Sequence, residues 1–114
     1  MFSTLLAMLL GFQQPVQPAQ QPVLIIFSIP SPVGPNDPVC PPCEAFKRDE
    51  KREPLRSLLR RYRVIRYTDK SPECQDYGAT RFPTFWVEND GWLMPQVGYF
   101  GPEAFQRYLE TKKQ

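Results

Sequence analysis

Proline constrains this chain more than any other residue. Nine of its 14 prolines fall between Pro15 and Pro42, and they leave a single uninterrupted run longer than three residues, Val23 to Ile29. Proline lacks the N–H that a strand ladder or helix interior requires, so regular structure in this stretch is confined to that run. Its sequence, V-L-I-I-F-S-I, is almost continuously apolar. Such a short run, bounded by prolines, predicts a strand buried on both faces and central in its sheet.

What precedes the run reads differently. Gln13 to Pro22 holds only Gln, Pro, Val and Ala, a composition that buries too little apolar area to offset its ordering entropy, and it is expected to be an extended linker. Met1 to Phe12 carries no charged side chain and is rich in leucine. It resembles the core of a signal segment, although no Lys or Arg precedes it and Ala19 makes a poor cleavage site; the alternative is a helical end packed on the domain. The run falls short of the ~20 residues a transmembrane helix needs. Export or membrane association follows if Met1–Phe12 is a signal segment, and a cytoplasmic location otherwise. Residues 1–22 are therefore read as an apolar segment plus linker, and 23–114 as the folded domain.

With 114 residues, 41% hydrophobic and 23% charged, the chain has room for one small domain with a compact core. It contains no histidine, which removes Ser-His-Asp triads, Cys-His pairs and imidazole acid–base chemistry. A net charge of +2 is too mild to require nucleic acid or an anionic membrane as partner. Three cysteines remain as the reactive residues, and an odd count fits a C-x-x-C pair plus one extra thiol better than a secreted disulfide framework.

Downstream of the first strand, Ser31 to Val39 is a loop leading into Cys40-Pro41-Pro42-Cys43. Proline is welcome in a first helical turn, where its missing N–H has no intrahelical partner, so Cys40 is expected to be an N-cap. The helix behind it carries Phe46, Leu55, Leu58, Leu59 and Tyr62 at helical spacing, with Pro54 kinking or dividing it. Arg63 to Thr68 predicts a second strand, parallel to the first across a right-handed crossover. A polar connection with a short helix follows, then Thr84 to Glu88 and Trp92 to Val97 flanking Asn89-Asp90-Gly91, a hairpin signal with Pro95 suited to an edge strand. Gly101-Pro102-Glu103 opens a last helix with Phe105, Tyr108 and Leu109 along one stripe. The order is β-α-β-(short α)-β-β-α.

A thiolate at a helix N-terminus is stabilised by unpaired N–H groups and the positive end of the helix dipole. Cys40 is therefore the expected nucleophile, with Cys43, one turn inside, able to close a disulfide with it and resolve a mixed disulfide. Half of a zinc site looks the same, but zinc needs four ligands and only Cys74 could add a third thiolate; no metal is expected.

Several further segments resemble the thioredoxin family. R-Y-T-D-K-S-P-E-C-Q-D-Y-G-A-T-R-F-P-T-F-W-V looks like the family's strand, short helix, Tyr-Gly and cis-proline loop, and Q-V-G-Y-F-G-P-E-A-F-Q-R-Y-L resembles its glycine-containing edge strand and final helix. The likeness runs from about Val23 to the end. It implies a thioredoxin-like α/β fold, a four-stranded mixed sheet with a β-α-β-β-β-α core flanked by helices. It implies that Cys40 and Cys43 are catalytic, that Phe82-Pro83 is a cis bond beside them, and that Val39, Pro41, Pro42, Phe82, Pro83 and Gly98 meet substrate. The function implied is a thiol–disulfide oxidoreductase that reduces or isomerises protein disulfides, with protein disulfides and an electron-donor reductase as partners, no cofactor, no nucleic acid, and a monomeric state.

The sequence also departs from that family. Val39 stands where a Trp usually precedes the first cysteine, and Ile26 where the family buries an Asp that helps deprotonate the resolving thiol. No credible first strand and helix precede Val23, which makes the core closer to a minimal glutaredoxin-like one; Pro41-Pro42 does not match the glutaredoxin dipeptide, so glutathione use is not implied. These departures support a rival, a non-catalytic thioredoxin-like binding or structural module in a larger assembly. Cys74 is expected to be a partly buried free thiol, with a regulatory or intermolecular disulfide as the alternative. Nine Lys and Arg between Lys47 and Arg66, interleaved with Glu44, Asp49, Glu50 and Glu53, predict a solvated face, or else a dock for an acidic partner. Trp86, Trp92, Phe85, Phe100 and Phe105 are expected in core and hairpin packing.

Overall fold

A computed structural model describes residues 21–92 and 94–111. The signal-like segment and most of the linker therefore lie outside the described residues. Strand β1, Val23–Ser28, is the middle of the assembly: β2, Arg63–Thr68, pairs with it in parallel from Val23↔Arg63 to Ser28↔Thr68. On its other side β3, Thr84–Glu88, runs antiparallel from Val23↔Glu88 to Phe27↔Thr84, and β4, Gln96–Val97, pairs with β3. The sheet order is β2-β1-β3-β4.

Alternation along β1 sends its side chains into two separate cores. Leu24 and Ile26 join Phe85 and Val87 of β3 under Phe46, Leu55, Leu59, Phe105, Tyr108 and Leu109. Ile25 and Phe27 face the other way, onto Cys74, Ala79, Tyr77, Phe82 and Trp86. Helices α1, Pro41–Asp49, α2, Leu55–Leu59, and α4, Pro102–Leu109, supply the first core, while α3, Glu73–Tyr77, covers the second. A strand with helices on both faces must be apolar on both, which is why the Val23–Ile29 run lacks polar alternation.

The long helical segment divides before Pro54 is reached. α1 stops at Asp49, the chain turns through residues 50–54, the Glu53–Pro54 bond is cis, and α2 starts afresh. Glu50 closes this break: its carboxylate accepts two hydrogen bonds from the Arg66 guanidinium, at 3.0 and 2.8 Å, tying the end of α1 to β2. The second hairpin strand is shorter than the sequence implies. Among the described residues of that strand, Gln96–Val97 alone pair as a strand, with an isolated bridge Glu88↔Trp92 near the turn. Pro95 interrupts the ladder because it has no N–H to donate.

Candidate active site

Cys40 is the N-cap of α1, in an extended conformation with Pro41 and Pro42 at the first helical positions. Its sulfur accepts the Cys43 backbone N–H at 3.3 Å. Pro41 and Pro42 have no N–H, so the Cys43 amide and the positive end of the helix dipole are what stabilise negative charge on a sulfur in that position. Cys40 and Cys43 are joined in a disulfide with Cα atoms 5.2 Å apart. Cys43 is fully buried, whereas Cys40 keeps 7% of its surface open, so any partner meets Cys40 first.

Two other segments converge on this pair. The Phe82 carbonyl oxygen lies 3.6 Å from Cys40 Sγ, the direction in which the reduced thiol would donate. Phe82's ring packs into the second core, leaving its backbone toward the sulfur. The Phe82–Pro83 bond is cis and Pro83 is fully buried. Thr84 Oγ1 donates to the Arg81 carbonyl at 2.5 Å and closes that turn. Gly98 N–H donates to the Pro83 carbonyl at 2.7 Å. At Gly98 the backbone has φ +92, a conformation that favours glycine, and an added Cβ would stand 3.0 Å from Cζ of the exposed Phe100 ring, which would have to shift slightly.

The loop before Cys40 is anchored by charge. Lys47 Nζ donates to the Ile29 carbonyl at 3.0 Å and pairs with Glu44 at 3.1 Å, while Ser31 Oγ donates to both Glu44 oxygens. The Ser31 hydroxyl and Lys47 ammonium hold the Glu44 carboxyl below its usual range. Asp37 accepts the Val33 and Gly34 N–H groups, which lowers its own pKa. The sequence reading did not single out these clamps, although Glu44 and Lys47 at i, i+3 were a visible signal.

Cys74 stands apart. It belongs to the second core and its thiol donates to the Thr68 carbonyl at 3.1 Å. Burial first, then the negative charges of Asp69 and Glu73, push its pKa up. It is a free thiol, and among the described residues no group of three or more His, Cys, Asp or Glu side chains is placed to hold a metal ion. Val39 and Pro41 are exposed at the pair's rim and Pro42 is half-buried. Phe85 and Phe105 fill the first core and Trp86 the second, but Phe100, expected among the packing residues, is 71% exposed.

A four-stranded mixed sheet with flanking helices and a Cys-x-x-Cys disulfide at a helix N-terminus defines a protein with the thioredoxin fold. Solved structures show the same arrangement. Mitochondrial thioredoxin 3 from Saccharomyces cerevisiae, in its oxidised form, superposes with a TM-score of 0.58 at 20% identity over 79% of this chain and 77% of its own. A thioredoxin-fold protein from Helicobacter pylori gives 0.63 at 16% identity, over 86% and 78%. Fasciola hepatica thioredoxin gives 0.57 at 14%, over 94% and 91%. At these identities the likeness establishes the fold. No protein-family model matches the chain, and no curated protein does.

Proposed function

We propose that this chain is a thiol–disulfide oxidoreductase acting on protein disulfides. The observation that carries the reading is the Cys40–Cys43 pair, with the outer sulfur at a helix N-cap and the inner one fully buried. In the reduced protein the Cys40 thiolate attacks one sulfur of a substrate disulfide. The substrate S–S bond breaks, a Cys40–substrate mixed disulfide forms, and the other substrate sulfur leaves as a thiolate that takes up a proton. Cys43, as its thiolate, then attacks Cys40 Sγ; the mixed disulfide breaks, Cys40–Cys43 re-forms, and the second substrate thiol is released. Two electrons and two protons pass from the dithiol to the substrate, and an external dithiol donor or reductase restores the pair.

Val39, Pro41 and Pro42 beside the pair, and Phe82, Pro83 and Gly98 across from it, are the proposed substrate contacts. The protein is proposed to act as a monomer with no resident cofactor. A second reading, a binding or structural module with a permanent disulfide, draws on the low exposure of Cys40. One assay separates them: reduction of a protein carrying an interchain disulfide, with dithiothreitol as donor. Turnover well above dithiothreitol alone is the expected result. A rate equal to that background rejects the enzyme.

A further inference from the structure

Single apolar side chains at a surface need no explanation. Phe100 differs in where its ring rests. Its neighbours Tyr99 and Phe105 turn into the first core, while Phe100 stays 71% exposed. Its ring is folded back over Gly98, with Cζ and Cε2 at 3.0 and 3.1 Å from where a glycine Cβ would stand. Gly98 is hydrogen-bonded to Pro83, and Phe82 touches Cys40 Sγ through its carbonyl. The ring therefore ends a continuous path of contacts that begins at the outer sulfur.

The same rim is apolar elsewhere. Val39, the residue before Cys40, is 64% exposed, and Val97, next to Gly98 in the chain, is 44% exposed and lines a groove with Tyr77, Arg81 and Thr84. No ionisable side chain occurs among the exposed or half-exposed Val39, Pro41, Pro42, Val97, Gly98 and Phe100, and Arg81 is the charged side chain that shares Val97's groove. A polar side chain laid on the Phe100 ring loses its water without gaining a partner from the ring, whereas an apolar one buries its own surface and the ring's. In an extended segment, residues two apart point the same way, so a substrate cysteine aimed at Cys40 aims its second neighbours at the rim.

We infer that Phe100 is a specificity-determining residue, receiving an apolar side chain two positions from the attacked cysteine of an extended protein disulfide. The inference rests on the oxidoreductase reading above. The test uses the full chain, with dithiothreitol as donor and its background subtracted, on two synthetic disulfide-linked peptides. They differ only in having Leu or Ser at the second residue on either side of the cysteine.

The wild-type protein is expected to favour the Leu peptide by at least about tenfold in kcat/KM, the low end of what one apolar contact discriminates. Phe100→Ala should bring the ratio to within about twofold, and Phe100→Leu should restore most of it. A loss of stability alone lowers both rates and leaves the ratio intact. Equal wild-type rates on the two peptides, or a preference that survives in Phe100→Ala, overturn the inference while leaving the oxidoreductase standing. Absence of turnover on both peptides and on bis(2-hydroxyethyl) disulfide rejects both.

Discussion

Cys40 and Cys43 differ in access by one helical turn, and on the proposed oxidoreductase reading that difference sets which one attacks and which resolves. The N-cap position aims the Cys43 amide at Cys40 Sγ, whereas the Cys43 side chain is sealed inside. Changing Cys43 to Ser should leave Cys40 able to attack but without a resolving thiol, so mixed disulfides with partners accumulate on a non-reducing gel. Cys40→Ser should abolish them, and Cys74→Ser should barely change them. Cys74 gives a pH test of its own. Its raised pKa keeps it protonated beyond the ordinary thiol value of about 8.5, so iodoacetamide should label Cys40 first in the reduced protein and reach Cys74 only at more alkaline pH or after unfolding. Mass spectrometry of the labelled peptides reads the order; Cys74 labelling first would reverse the assigned roles. Gly98→Ala should lower stability by roughly 1–3 kcal/mol, because it forces a side chain into φ +92, measurable by urea unfolding.

At the scale of elements, α1 is what presents the cysteines, and one ring holds it down. Phe46 packs edge-on against Phe85, Phe105 and Tyr99, with centroids 4.9, 5.2 and 5.3 Å apart. Phe46→Ala should cost about 3–5 kcal/mol, the usual range for a buried aromatic truncated to alanine, read as a lowered urea midpoint. The Glu50–Arg66 pair links the same helix to β2, but Arg66 is half exposed. Glu50→Gln should therefore cost no more than about 1 kcal/mol. The basic segment around these residues is largely interleaved with acids, as the Glu44–Lys47, Glu53–Arg56 and Glu50–Arg66 pairs show, which matches a solvated face.

For the molecule as a whole, alkaline pH is the condition that loosens the fold. Tyr99, buried and donating to Asp49 Oδ2 at 2.6 Å, has its pKa raised, by burial first and then by that carboxylate. Cys74 is raised too. Both groups are neutral when protonated, so above their unfolded values the native chain holds protons that the unfolded chain has released, and stability falls as pH rises. The contribution is complete below about pH 8.5 and is lost progressively above it, as pH climbs past the thiol's ordinary value and then the phenol's, about 10. A Tm series from pH 7 to 11 should be flat at first and then decline, and Tyr99→Phe should shallow the decline. A flat profile throughout would falsify this account.

Local rules were enough for part of this protein. The Val23–Ile29 run demanded a strand buried on both faces because nothing polar interrupts it, and two prolines after Cys40 demanded a helix start because only there is a missing N–H harmless. Those two features put a sulfur at a helix N-terminus before any tertiary contact is considered. The Arg63–Thr68 run and the Asn89-Asp90-Gly91 hairpin signal complete four strands, and the family likeness, carried by Tyr77-Gly78, Phe82-Pro83-Thr84 and Gly98, adds the cis bond at Pro83. Tertiary packing decided the rest. The break after Asp49 forms five residues ahead of Pro54, where Glu50 meets Arg66 across the sheet. β4 shrinks to two residues, and Phe100 faces outward although its composition matches that of core neighbours. Each of these depends on which distant surface an element meets, and periodicity records only that a face is apolar, not what will cover it.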